Sequence, residues 1–219
     1  MQPTPSTTAR PRPFDDCVGL GYHCEVTHQI RRVTGNERAA YFDWLDLDLE
    51  AVIETIEADF TNVLRPGLTE PFGDGLFALD RGSGIRFFHE FAASGPKGLS
   101  EADIERQIDA VRAKFTHLAD RFRSLATSDR RVLYIRNDAF DEHDAADLRR
   151  LRAAIATQYP GHRFALLWLR RTVPADAAQL PPGIAWGAVP LVPGRWEGDD
   201  AAWDAAFDAL DPAVLWPRP

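Results

Sequence analysis

Residues 132–169, VLYIRNDAFDEHDAADLRRLRAAIATQYPGHRFALLWL, decide the fold. Residues 132–136 (VLYIR) and 164–169 (FALLWL) are unbroken apolar runs of the kind that form strands covered on both faces. Between them, residues 144–158 repeat their apolar positions at helical period. Strand, helix and strand in that order make a βαβ unit, whose two strands lie parallel and are joined by a right-handed crossover. Beyond it, residues 184–189 read as a further strand and 199–210 as a last helix.

Working back toward the N-terminus, residues 16–20 (DCVGL) form a short apolar strand closed by Gly21. The next segment, 24–33 (CEVTHQIRRV), carries Val26, Ile30 and Val33 at helical spacing and stops at Gly35 and Asn36. Residues 39–45 (AAYFDWL) read as a second strand and 47–60 as a helix. The glycine- and proline-rich stretch 65–84 reads as a loop or small hairpin, and 85–91 (IRFFHEF) as a strand. Ser100 followed by Asp103 has the spacing of a capping box and opens a long helix to about residue 125. The pattern predicts an α/β protein, a three-layer αβα sandwich around a mostly parallel, Rossmann-like sheet. Residues 14–219 are expected to form one domain behind a polar, proline-rich and disordered leader, residues 1–13.

The 219 residues are 45% hydrophobic and 26% charged, enough for one packed core. A net charge of −8 and a pI near 5.2 argue against a nucleic-acid partner, whose phosphates are neutralised by lysine and arginine. The arginine clusters at 121–123, 130–131, 149–152 and 170–171 read as solvated faces. No run approaches the roughly 18 apolar residues that cross a bilayer, and residues 1–13 lack the apolar stretch that a secretory signal needs. A cytoplasmic protein with no membrane partner is expected. Its two cysteines, Cys17 and Cys24, are expected to be separate thiols.

In an open parallel sheet, ligands sit beyond the carboxyl ends of the strands. That filter collects Gly21, Tyr22, His23 and Cys24 from the first strand and Asp43 and Trp44 from the second. It adds His89 and Glu90 from the third, and Arg136 and Asn137 from the fourth. Cys24 opens a helix, where the dipole and unpaired N–H groups favour thiolate and could hold an oxyanion. His89 is the candidate general base. His28, one helical turn after Cys24, points away from the helix start, and Cys17 belongs to the core. Asp43, Asn137 or Glu90 could orient the imidazole, with Asp43 preferred. Gly21, Tyr22, His23, Trp44, Glu90, Arg136 and Asn137 are the candidate substrate-binding residues.

Two rival sites are weaker. Gly19-Leu20-Gly21 with Asp43 downstream partly copies a dinucleotide fingerprint but has Cys24 at the third glycine. Cys24, His28 and His89 could bind a metal but lack paired-ligand spacing. No cofactor is assigned.

The segments Val18-Gly19-Leu20-Gly21-Tyr22-His23-Cys24, Phe42-Asp43-Trp44, His89-Glu90-Phe91 and Val132-Leu133-Tyr134-Ile135-Arg136 resemble, in order and spacing, a bacterial family of unknown function that carries the name papain-like cysteine peptidase. Gly19, Tyr41 and Glu90 depart from that family's serine, proline and aspartate. The resemblance implies a Cys-His hydrolase with Cys24 as nucleophile and His89 as base. A papain-like fold would set the cysteine against an antiparallel barrel-like sheet, whereas the segment order here predicts parallel strands. In arrangement alone the chain is also similar to capsule-polysaccharide acetyltransferases. The expected reaction is thiol-dependent hydrolysis or acyl transfer on a small-molecule, glycan or peptide substrate. Acetyl transfer to a sugar is the nearest alternative. A non-catalytic glycan- or nucleotide-binding domain lined by Trp44, Trp168, Trp186 and Arg136 is the other.

Overall fold

The computed structural model describes residues 12–177 and 180–217, so the leader, apart from its last two residues, lies outside the described residues. The chain runs β1 (Asp16–Gly19), α1 (Cys24–Thr34), α2 (Leu49–Glu57), β2 (Thr69–Phe72), β3 (Phe77–Asp80), β4 (Ile85–Phe87) and α3 (Glu101–Ala126). It continues through β5 (Val132–Asp138), α4 (Ala145–Gln158), β6 (Phe164–Arg170), β7 (Ile184–Ala188), α5 (Asp200–Asp208) and α6 (Pro212–Leu215).

Two sheets result. Strands β1, β5, β6 and β7 lie side by side in that order, every neighbour parallel, and β2, β3 and β4 form a separate antiparallel sheet. The protein is thus α/β in character. All seven residues of β5 and of β6 are buried, which is why their sequences are continuous rather than alternating. Val132 and Tyr134 join a cluster with Phe122, Leu151 and Val52. Leu133 and Ile135 join another with Val26, Ile30 and Trp203. Each strand therefore contributes alternate side chains to two cores.

Helix ends follow local chemistry. Gly35 closes α1 in the left-handed conformation, its N–H donating to the Arg31 carbonyl. Ser100 and Asp103 form the expected capping box on α3, and Asp144 with Asp147 forms a second on α4.

Two expectations are corrected. Residues 39–45 are not a strand: Asp43 N–H donates to Ala40 O, Leu45 N–H to Phe42 O, and the Asp43 carboxylate accepts from Ala40 N–H at 2.9 Å. These bonds close turns in place of a ladder. The run is apolar because Tyr41, Phe42 and Leu45 plug the core. The strand expected over 85–91 ends at Phe87 and belongs to the antiparallel sheet, leaving residues 88–91 as a bend.

The turn from β1 to α1 admits little change. Gly21 has φ 71°, and a Cβ built on it would lie 2.2 Å from Leu47 Cδ2. Gly21→Ala is therefore expected to cost about 1–3 kcal/mol, the sum of left-handed strain and overpacking. Urea unfolding measures this, and a midpoint equal to the parent's would contradict it.

Candidate functional site

β1 delivers the chain to the site with Leu20 N–H donating to Ile135 O at 2.8 Å. Gly21 and Tyr22 follow with positive φ, 71° and 95°. A tyrosine in that region is strained, and burial of its ring with the Arg136 guanidinium 5.2 Å from its centroid holds it there. His23 is the N-cap of α1 and makes no side-chain capping bond, so Cys24 begins a helix whose first N–H groups have no side-chain partner.

His89 reaches Cys24 from the bend after β4. Cys24 Sγ and His89 Nε2 are 3.6 Å apart, a sulfur–nitrogen hydrogen bond across 65 positions of sequence. Trp44, itself at φ 62°, stands edge-on to the imidazole with centroids 6.4 Å apart, and its backbone N–H donates to Thr27 Oγ1 at 3.2 Å. A cavity of about 1210 Å³ opens over the pair. Its walls are His23, Cys24, Glu25, Trp44 and His89 on one side and residues 191–196 on the other.

No family model, curated protein or solved structure matches this chain. The site must be read from its own geometry.

Of the sequence-derived candidates, Cys24, His89, His23 and Trp44 converge on the cavity. Asp43 does not orient His89. Its carboxylate accepts from Arg31 at 3.2 Å, from Thr27 at 3.4 Å and from Ala40 N–H, so it holds the turn that carries Trp44. Glu90 pairs with Lys114 at 2.6 Å, away from the thiol. Among the described residues no side chain hydrogen-bonds the other nitrogen of His89. Arg136 is 1% exposed and donates to the carbonyls of Leu20 and Leu47, so it supports the turn and cannot meet a substrate. Asn137 is fully buried, its amide 3.4 Å from Glu25 Oε2. Gly21 and Tyr22 shape the turn and do not line the cavity.

The rival sites fare as follows. Trp168 is buried with its indole N–H donating to Asp138, and Trp186 packs on the core, so neither lines the cavity as the binding-domain reading requires. His28 packs its ring against Trp196 at 5.3 Å, and no group of three metal-ligating side chains occurs among the described residues. Gly19 lacks room for a Cβ because Val26 Cγ1 would lie 2.9 Å away, a close strand–helix approach. Among the described residues no helix is long and apolar enough to cross a membrane.

Sequence reasoning missed the wall at residues 191–196 (LVPGRW). It follows β7, the edge strand, and Leu191 and Trp196 are each 56% exposed. A tryptophan and a leucine flanking a Pro-Gly turn beyond a strand's carboxyl end were the available signal.

The thiolate expectation at Cys24 is corrected. Burial pushes the thiol above its ordinary value; hydrogen bonding from its own amide opposes this and the nearby Asp46 carboxylate adds to it. The resting group is therefore the neutral thiol. Cys17, in the core, is pushed up by burial as well. In Cys17→Ala protein, iodoacetamide alkylation of Cys24 should stay slow at neutral pH and rise through an alkaline midpoint above that of a free thiol. A midpoint below neutrality would disprove the neutral resting state.

Proposed function

We propose that the protein is a thiol-dependent acyl transferase or hydrolase in which Cys24 is the nucleophile and His89 the general base. The observation that carries this is the 3.6 Å contact between Cys24 Sγ and His89 Nε2 on the wall of the cavity. Imidazole within hydrogen-bond reach of a thiol at a helix start is the arrangement such chemistry requires. The activity agrees with the one implied by the family resemblance at these two residues. Two free thiols suit a cytoplasmic setting. The four parallel strands between two helical cores favour a three-layer αβα, Rossmann-like classification.

The neutral thiol dictates the sequence of events. His89 removes the proton as sulfur attacks the carbonyl carbon, so charge develops only in the transition state. The N-terminus of α1, the positive end of its dipole, stabilises the negative charge that forms on the carbonyl oxygen. As the intermediate collapses, the bond from carbon to the leaving alcohol, thiol or amine breaks and His89 returns the proton to it. Water or an acceptor hydroxyl then attacks the thioester, His89 takes its proton, and the sulfur leaves and is reprotonated. Trp44 sets the imidazole by an edge contact in place of a carboxylate.

Hydrolysis of 4-nitrophenyl acetate tests this. Cys24→Ala should abolish turnover, and His89→Ala should lower kcat/KM by about 10²–10⁴-fold, the usual contribution of a general base. Equal rates in the parent and Cys24→Ala would exclude the reaction.

A further inference from the structure

The cavity over the pair is larger and more apolar than acetyl chemistry demands. Its about 1210 Å³ exceeds the roughly 300–1,000 Å³ usual for small-molecule sites. Beyond Cys24 and His89 its walls are mainly Trp44, Trp196, Leu191, Val192 and Pro193. The two indoles lie 6.3 Å apart at 56°, forming an aromatic corner beside the imidazole. Polar groups are scarce and mostly engaged. Glu25 accepts from Trp203 at 2.8 Å and from Asn137, and Arg195 donates to Asp200 at 2.8 Å. A sugar placed here would find few free polar side chains to meet its hydroxyls. An acetyl group would leave most of the space unfilled.

The apolar wall is built to stay in place. Arg195 N–H donates to Val192 O across Pro193 and Gly194, and Gly194 takes φ 74°, as a proline–glycine turn requires. Gln29 of α1 donates to Glu197 O at 2.6 Å, and His28 packs on Trp196. Leu191 and Trp196, each 56% exposed, are thus held on the cavity wall.

We propose that the substrate is an ester or thioester of a bulky apolar carboxylic acid, a medium-chain or aryl acyl group, that lies along Trp44, Trp196 and Leu191 with its carbonyl at Cys24. The proposal rests on the Cys24–His89 reading and names its substrate class. Sulfur forms a bond to the acyl carbon, and the carbon–oxygen or carbon–sulfur bond to the leaving group breaks. The thiol proton passes through His89 to that alcohol or thiol. Water then cleaves the enzyme thioester, releasing the carboxylic acid and restoring the thiol.

The test compares 4-nitrophenyl acetate, butyrate and octanoate, each rate taken relative to uncatalysed hydrolysis. From acetate to octanoate, kcat/KM should rise by about tenfold or more, since each buried methylene favours binding. Trp196→Ala should remove most of that rise and Trp196→Phe should restore it. A rate that is flat or falls with chain length, yet still needs Cys24, overturns the acyl pocket and leaves the thiol–imidazole pair standing. Titration calorimetry of octanamide into Cys24→Ala protein supplies a readout without turnover. Saturable binding weakened by adding Trp196→Ala supports the pocket even where the ester assay fails, and absence of binding to the Cys24→Ala protein itself overturns it.

Discussion

The buried guanidinium of Arg136 is the group on which the site depends. It leaves water almost completely, and burial pulls its proton affinity down to about 10. What it receives in exchange is three hydrogen bonds, at 3.0 Å to Leu20 O and at 3.2 Å, from two nitrogens, to Leu47 O, together with the face of Tyr22. Those carbonyls belong to the end of β1 and to the segment entering α2. One side chain on β5 therefore fixes both the turn that presents Cys24 and the segment downstream of Trp44. Substituting an apolar residue there would orphan buried carbonyls, a larger loss than the bonds themselves are worth.

The chemistry suits that framework. A thiol that rests neutral does not depend on a standing ion pair and need not hold charge in a half-buried position. In the proposed reaction, apolar walls would raise the cost of separated charge before substrate arrives and strengthen the attraction between imidazolium and oxyanion as both form. Among the described residues the Cys24–His89 pair has no carboxylate partner, Asp43 being occupied in holding Arg31 and the turn. Orientation of His89 falls to Trp44, whose left-handed backbone and bond to Thr27 aim the indole.

The parallel sheet was legible because β5 and β6 are buried on both faces and can be nothing but continuous apolar runs. The caps of α3 and α4 were legible because their chemistry is local. The 39–45 segment was not, since a core plug folded by turns and a strand share the same apolar spelling; only Asp43 and its bonds separate them. The juxtaposition of Cys24 and His89 was expected on partly wrong grounds, as His89 arrives from a bend after an antiparallel strand and not from the parallel sheet. Arg136 and Asn137 were misassigned because a polar residue ending a strand looks alike whether it faces solvent or supports a loop from beneath. The wall at 191–196 was missed because nothing in a loop's composition states which cavity it will close.

Glu25, the neighbour of Cys24, is tied to Trp203 of α5, to Asn137 of β5 and, at 3.6 Å, to Arg171. Gly198 also presses against it, for a Cβ there would meet its carboxylate at 2.3 Å. The start of α1, and Cys24 with it, is therefore tied to β5, to α5 and to the segment after β6. The wall at 191–196 is tied to the same helix through Gln29 and His28, so thiol and wall keep a set spacing. The gap between them is a fixed gauge, and molecules of different girth would be told apart by whether they pass it and not by how the site reshapes.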